Sequence, residues 1–555
     1  MNGQEIIEDH LSDGPNEEDP MLVLEDDQGQ AGELSENSGE DNINDPQWQE
    51  VEEGWRPNWL PEYNLRAGVS PNFPQNVRNA VDYFGLFYDD EVLDLIVEET
   101  NRYATQFFES HPEQRTNPYY SAWTPCDKGK IKAYFGLMIH MGLVQYPRLE
   151  YHWTKTPLYS CSLCPSIMTR RDFFLLHGFL HFADNHSANL DDKIFKVRRL
   201  FELLSSRFRQ YYVLHRELTI DERIVKFTGR LSFLQFIRNK PNQYGIKIYI
   251  LADAHTGYVY NWKVYTGAEG RRNNLEGQNQ NGEGRNSNSQ GSAPKIMNTI
   301  AELTNNLANR GHVVCFDSYY CYLQVVQHLA RKSIGCVATL DSRRKFFPNE
   351  IKKPSSTMEN QQTVLRRNNN LMALIFKDKN YVRIVSNMHG KEFDARGRPI
   401  ALRDYNLWAR GVDLSNQMVA NYHNDHKSIK WYKILALSFL ETSISNAYIL
   451  YKHQNEFAAK KHLNFREDLV QELLQEYVNS RQIQLNNNHS QRIIMNMHHI
   501  GKREQKHCVV CSTINHRKTS VFYCVECDEN VCVVDCFYKL HTNLEIYSRN
   551  KARNI

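Results

Sequence analysis

The chain has 555 residues, 41% hydrophobic and 24% charged, enough for several cores of ordinary water-soluble composition. Its net charge of +1 averages two unlike parts: residues 1–55 hold 18 Asp and Glu and no Lys or Arg, which leaves about +19 on the rest. A basic body suits a polyanion such as DNA, with solvated surface lysines as the plain alternative. No long apolar run or basic, apolar leader stands out, which argues against membrane and secretory classes.

Residues 1–55 are acidic and poor in aromatics, so they are expected to be disordered, either as a solubilising tail or as a competitor with DNA for the basic surface. Residues 56–212 read as helical. Asp89 or Asp90 caps a helix with Leu93, Val97, Thr100, Ala104 and Phe107 on one face, and 130–143 and 171–182 continue the pattern. Basic residues recur at Arg170, Arg171, Arg198, Arg199, Arg207 and Arg209. Cys161 and Cys164 have metal-like spacing, but with no second pair near them in sequence they are read as structural.

Strands follow. Leu218-Thr219-Ile220-Asp221 is an apolar, β-branched run expected to end at its acid, and 246–252 and 258–265 are two more. After a Gly-, Asn- and Gln-rich loop at 267–294 come a helix at 295–309 stopped by Gly311, a strand ending in Asp317, and a helix through Leu323, Val326 and Leu329. The region 335–404 has β-rich pieces at 371–376 and 381–386. Gly411-Val412-Asp413 opens a helix, and 428–451 forms a long one, with Trp431, Leu435, Phe439, Ile444 and Tyr448 for packing, that braces Asp413 against the sheet.

Acids on the first and fourth strands of such an order are a ribonuclease H-like arrangement. Three carboxylates meeting at one sheet edge make a hard oxygen site for Mg²⁺ or Mn²⁺, suited to phosphoryl transfer.

The stretches Leu218-Thr219-Ile220-Asp221-Glu222, Asn239-Lys240-Pro241-Asn242-Gln243-Tyr244-Gly245, Cys315-Phe316-Asp317-Ser318-Tyr319-Tyr320 and Gly411-Val412-Asp413-Leu414-Ser415-Asn416-Gln417-Met418 resemble the piggyBac-type DDE transposases, in the family's order. The resemblance implies an α/β multidomain protein: an acidic tail (1–55), a helical dimerisation and DNA-binding region (56–212), a ribonuclease H-like core in two parts (213–334 and 405–500) around a β-rich insertion (335–404), and a cysteine-rich zinc domain (501–545). It implies Asp221, Asp317 and Asp413 as catalytic Mg²⁺ ligands, Asp221 shared by two ions. The implied reaction nicks a transposon end, forms a hairpin and joins the end at a TTAA target, in a nuclear homodimer acting on double-stranded DNA.

Trp431 matches a family Trp where an aromatic stacks on an unpaired hairpin base, with core packing as the alternative. Lys240, Lys247 and Lys430 are candidate phosphate contacts, or surface lysines. Two positions depart from the family pattern: Asn416 stands where an additional Asp is common, and Ser318 where Asn often follows the second acid. A domesticated, non-cutting DNA-binding or chromatin protein is the alternative function.

At the C-terminal end, Cys508-x2-Cys511, Cys524-x2-Cys527, Cys532, Cys536 and His541, with His516 between the pairs, form a zinc signal with disulfides as the lesser reading. An interleaved pair of Zn²⁺ sites needs eight ligands; His516, or else His507, completes the set. The stretch resembles the family's cysteine-rich domain, which reads transposon-end DNA, and Lys502, Arg503, Lys506, Arg517 and Lys518 form a basic rim. A protein partner is the other use of such a domain.

Overall fold

The computed structural model describes residues 47–536 except 58–59, 160, 190, 238–242, 268–291, 424–427, 429, 457, 487–499, 513–517, 525–527 and 533–535. The expectations for residues 1–46 of the acidic tail, for most of the 267–294 loop, and for Lys240, His516, Arg517, Cys527 and His541 lie outside the described residues, while the end of the tail departs from the disorder expected over 1–55: Gln49–Glu50 pair with Arg367 and Arg366, and Val51 is buried. The chain divides into two compact units, 1–103 with 180–466 and 104–179 with 467–555, so the helical region expected over 56–212 is shared between them.

The first unit is built on a ten-stranded sheet. Glu217–Lys226 (β1), Tyr244–Asp253 (β2) and Val259–Val264 (β3) form an antiparallel meander. Val313–Phe316 (β4) runs parallel to β1 on its other side, and Gly335–Thr339 (β5) runs parallel to β4. Thr363–Asn368 (β6), Leu371–Lys377 (β7) and Tyr381–Ser386 (β8) extend the sheet antiparallel, with β8 on β5. The residues expected to form an insertion therefore share the central sheet's hydrogen bonds, and 335–339 is one of its parallel strands. β2 and β7 are buried along almost their whole length, which explains why apolar and polar residues do not alternate along them: strands covered on both faces need not alternate.

Five helices of this unit matter for the site: Ser292–Leu303 (α1), Leu323–Arg331 (α2), Ile400–Trp408 (α3), Gly411–Ala420 (α4) and Trp431–Gln454 (α5). α5 corrects the expectation that no stretch approaches a membrane span, since by length and hydropathy it qualifies; 89% of the qualifying window is buried, as in a core helix. Phe439 on α5 packs on Trp262 and Phe201, with ring centroids 4.8 and 5.7 Å apart. Asn446 donates to the carbonyl of Val259 and accepts from its N–H, both at 2.9 Å, so a polar residue in this apolar helix docks it onto β3.

The helix Phe195–Tyr211 brings Phe201 and Phe208 to the same core. Its arginines are committed within the fold: Arg207 bonds Asp89 and Glu91, Arg199 bonds Glu91, and Arg198 bonds Asp192. Asp89 is the cap of Asp90–Ser110, its Oδ1 accepting from Val92 N at 3.1 Å.

In the second unit, Asp127 caps the helix Lys128–Leu143 by accepting from Lys130 N at 2.7 Å. That helix is buried on most sides, and its Tyr134 hydroxyl meets His177 Nδ1 at 2.8 Å. The strands Ile500–His507, Thr519–Cys524 and Glu529–Asn530 form a small antiparallel sheet.

Candidate active site

Asp221 lies in the middle of β1, not at its tip as the sequence suggested. The acid did not end the strand because β2 pairs with β1 from Leu218 through Lys226. What stops at this level is the parallel partner: the last rung between β1 and β4 is Ile220 with Phe316. Asp221 and Asp317 therefore stand one residue further on, side by side across strands about 4.8 Å apart.

Their shared surroundings are visible at Tyr405 on α3. Burial pushes this phenol up to about 12; the Thr339 hydrogen bond acts against that, and charges on Cys315, Asp317 and Asp221 add to it. The turn after Asp317 is fixed from two sides. Tyr319 N donates to Asp317 Oδ1 at 2.9 Å, and Arg344 Nη2 donates to the carbonyls of Ser318 and Tyr319 at 2.7 and 2.8 Å. Neither Tyr405 nor Arg344 was legible as a site residue, since nothing in the sequence ties either to the acids.

Asp413 sits in the first turn of α4, which is fastened to the Asp221 face of β1 at two points. Thr219, two residues before Asp221, donates its hydroxyl to Trp408 O at 2.6 Å and accepts from Gly411 N at 3.2 Å. A Cβ at residue 411 would lie 2.7 Å from both Thr219 Oγ1 and Asp253 O, so only glycine lets the helix start this close to the sheet. Two residues after Asp221, Arg223 donates from Nε to Asn416 Oδ1 at 2.7 Å, from Nη2 to Ser415 Oγ at 2.7 Å and from Nη1 to Thr442 Oγ1 at 2.6 Å. Thr219, Asp221 and Arg223 alternate onto one face, so the helix segment bearing Asp413 runs between anchors on either side of Asp221. Asp413 itself is exposed on the open flank, three residues before Asn416.

The three candidate acids are hard oxygen donors, of which Asp317 and Asp413 are open to solvent and Asp221 is half-buried. Such a set fits a divalent oxygen-seeking cation. Among the described residues these acids do not form a group whose ligand atoms all lie within 4.8 Å of one another. A central carboxylate flanked by one on either side does not require that closure.

The expected DNA contacts fare differently. Lys247 is 2% exposed, its ammonium donating to the Tyr319 hydroxyl at 3.1 Å and lying over the rings of Tyr319 and Tyr249 at 4.3 and 5.0 Å. In this arrangement its ammonium faces Tyr249 and the loop carrying Asp317. Lys430, half-buried, stands at the N-cap position of α5, where its side chain makes no capping hydrogen bond. Trp431, the first residue of α5, is half-buried with its ring edge-on to Phe233 at 5.7 Å. Asn416, where the family often has an acid, serves as acceptor for a buried guanidinium.

In the second unit, Cys508, Cys511, Cys532 and Cys536 bring their sulfurs within 4.8 Å of one another, and Cys511 Sγ and Cys532 Sγ are 3.7 Å apart. Four thiolates around one zinc at about 2.3 Å have sulfurs roughly 3.8 Å apart, so these residues can hold such an ion. Cys524 is buried but outside this quartet, which takes the first and third pairs of the sequence. Arg503 on the expected basic rim bonds Asn530 Oδ1 at 2.6 Å and pairs with Asp528.

A family model described as Transposase IS4 matches residues 79–448, more than half of the chain. The chain is 23% identical over 394 residues to human PiggyBac transposable element-derived protein 2, covering 67% of this chain and 61% of that protein. It is 25% identical over 513 residues to the human derived protein 3, covering 86% and 79%, and 21% identical over 456 residues to the human derived protein 5, covering 78% and 82%. A cryo-EM structure of a piggyBac transposase synaptic complex with hairpin DNA has the same fold, with a TM-score of 0.66 at 21% identity over 84% of this chain and 98% of that one. With its family model and these relatives, the chain belongs to the piggyBac-type DDE transposase family.

Proposed function

We propose that this chain is a DNA transposase that cuts and joins transposon ends by metal-dependent phosphoryl transfer, through a hairpin and at TTAA targets, in a ribonuclease H-like core. The observation that carries the reading is the pairing of Ile220 with Phe316, which sets Asp221 beside Asp317 under the strand face to which α4 is fastened. In this reading Asp221, Asp317 and Asp413 would together hold two Mg²⁺ or Mn²⁺ ions. Bound there, such ions activate the attacking oxygen and stabilise the leaving oxygen of an in-line displacement. The chain's own contribution is rigidity: Arg344 and Tyr319 fix the Asp317 turn, and Thr219, Gly411 and Arg223 fix α4.

The C-terminal quartet is read as a structural Zn²⁺ site in a domain that contacts the ends, and the working protein as a nuclear homodimer on double-stranded DNA. A second reading, a non-cutting DNA-binding derivative, draws on Asn416, which faces Arg223 as a neutral residue where an extra carboxylate is common. Excision of a reporter flanked by the element's own ends separates the two. Excision lost with Asp221→Asn, Asp317→Asn or Asp413→Asn supports the transposase; binding of end DNA without cleavage by the parent chain supports the derivative.

A further inference from the structure

Cys161 and Cys164 lack a second ligand pair nearby in sequence, but the fold supplies one from the preceding segments. His140 comes from the last turn of the helix Lys128–Leu143, and His152 from the 3-10 turn Leu149–Trp153. Cys161 and Cys164 stand at the entry to the short helix Leu163–Ile167. One ligand atom from each of the four lies within 4.8 Å of all the others, with His140 Nε2 3.8 Å from Cys161 Sγ. Ligands on a tetrahedral zinc, at about 2.3 Å for sulfur and about 2.0 Å for nitrogen, stand roughly 3.3–3.8 Å apart, so a small contraction closes the set.

Two further observations point to a ligand. Cys164 is fully buried and His152 is 1% exposed, yet His152 Nδ1 has no hydrogen-bond partner. A buried ring nitrogen is rarely left unsatisfied without a reason. The site is also walled by aromatics: the Tyr146 ring lies 4.5 Å from that of His152, and Tyr159 packs on Tyr146 at 5.5 Å and on Tyr151 at 4.6 Å. Between residues 144 and 162 the described chain has only two short 3-10 turns, so few backbone hydrogen bonds hold it.

We propose that His140, His152, Cys161 and Cys164 form a structural Zn²⁺ site that pins the 144–164 segment to the end of the helix Lys128–Leu143. Two thiolates and two imidazoles suit zinc over Mg²⁺ or Ca²⁺, and four protein ligands leave no open position for substrate, which makes the site structural. It is separate from the Cys508 quartet, with which it shares no residue.

The test is a difference measurement on the full chain. Zinc per chain is determined by atomic emission for the parent protein and for Cys161→Ser/Cys164→Ser, each purified without added metal. One zinc fewer in the double variant is expected, whatever the C-terminal cysteines hold; equal zinc in two folded proteins overturns the site. If the double variant does not fold, His152→Cys is made in the cobalt-exchanged chain. An added thiolate-to-cobalt charge-transfer band supports the proposal, and a spectrum identical to the parent's refutes it.

Discussion

Replacing Arg223 with Met tests how much this guanidinium contributes to fastening α4 to β1. Arg223 is 7% exposed; burial lowers its pKa to about 10, partly offset by Glu441, so it stays charged at neutral pH. Its three hydrogen bonds, at 2.6 to 2.7 Å, reach both α4 and α5. At about 1.5–3 kcal/mol for each bond from a charged donor, a simple sum overshoots, because removing the cation also returns its desolvation cost. The three partners are neutral, so the cost of leaving buried acceptors unsatisfied, about 1–3 kcal/mol, is the better figure. Hydrogen exchange across 411–420 should then accelerate about 5- to 150-fold, at about 1.4 kcal/mol for each factor of ten. Strand cleavage should fall with it, although no proposed metal ligand has changed. Arg223→Lys keeps the charge without the fork and should lie between. Parent-like protection of α4 together with parent-like cleavage in the Met variant would refute the account of how Asp413 is positioned.

Asp221→Asn, Asp317→Asn and Asp413→Asn should each abolish Mg²⁺-dependent cleavage while leaving DNA affinity within about threefold, less than the 1 kcal/mol of a typical positioning contact; normal cleavage in any one removes that residue from the site. Gly411→Ala should destabilise by about 1–3 kcal/mol, as overpacking does, with a matching drop in the urea midpoint of the first unit and in cleavage. The His215–Asp253 pair, joined at 2.8 Å, gives a pH signature. The hydrogen bond to Asp253 raises His215 against its partial burial, a contribution full below the unfolded value near 6.5 and lost as pH rises through the folded value. Asp253 is lowered because His215 and backbone N–H groups outweigh its burial, a contribution present above about 3.9 and lost as pH falls through the folded value. Thermal midpoints of the parent minus Asp253→Asn should therefore be largest between about pH 4 and 6.5, and a flat difference would exclude the pair. In the second unit, Cys508→Ser/Cys511→Ser should strip amide protection from the strands Ile500–His507 and Thr519–Cys524, read by hydrogen exchange, and retained protection would show that metal does not hold them.

Local chemistry carried much of this protein in its sequence. Apolar runs with β-branched residues marked β1, β2, β4, β7 and β8, Asp89 marked a helix start, and the motifs around Asp221, Asp317 and Asp413 marked the family, because each is a property of neighbouring residues. Strand Thr363–Asn368 escaped notice because Arg366, Arg367 and Asn368 break its apolar pattern, and α3 because it follows a β-rich stretch. What a residue meets across the fold was decided only in three dimensions. Pairing to β2 carried β1 five residues past Asp221, the Lys247 ammonium came to lie among tyrosines, and the helix Asp90–Ser110 with its cap Asp89 took up Arg199 and Arg207. Likewise His140 and His152 lie 12 residues apart with nothing local to link them to Cys161 and Cys164. Long-range contacts of this kind depend on chain reversals whose geometry no short stretch of sequence encodes, and they set which side chains share a site.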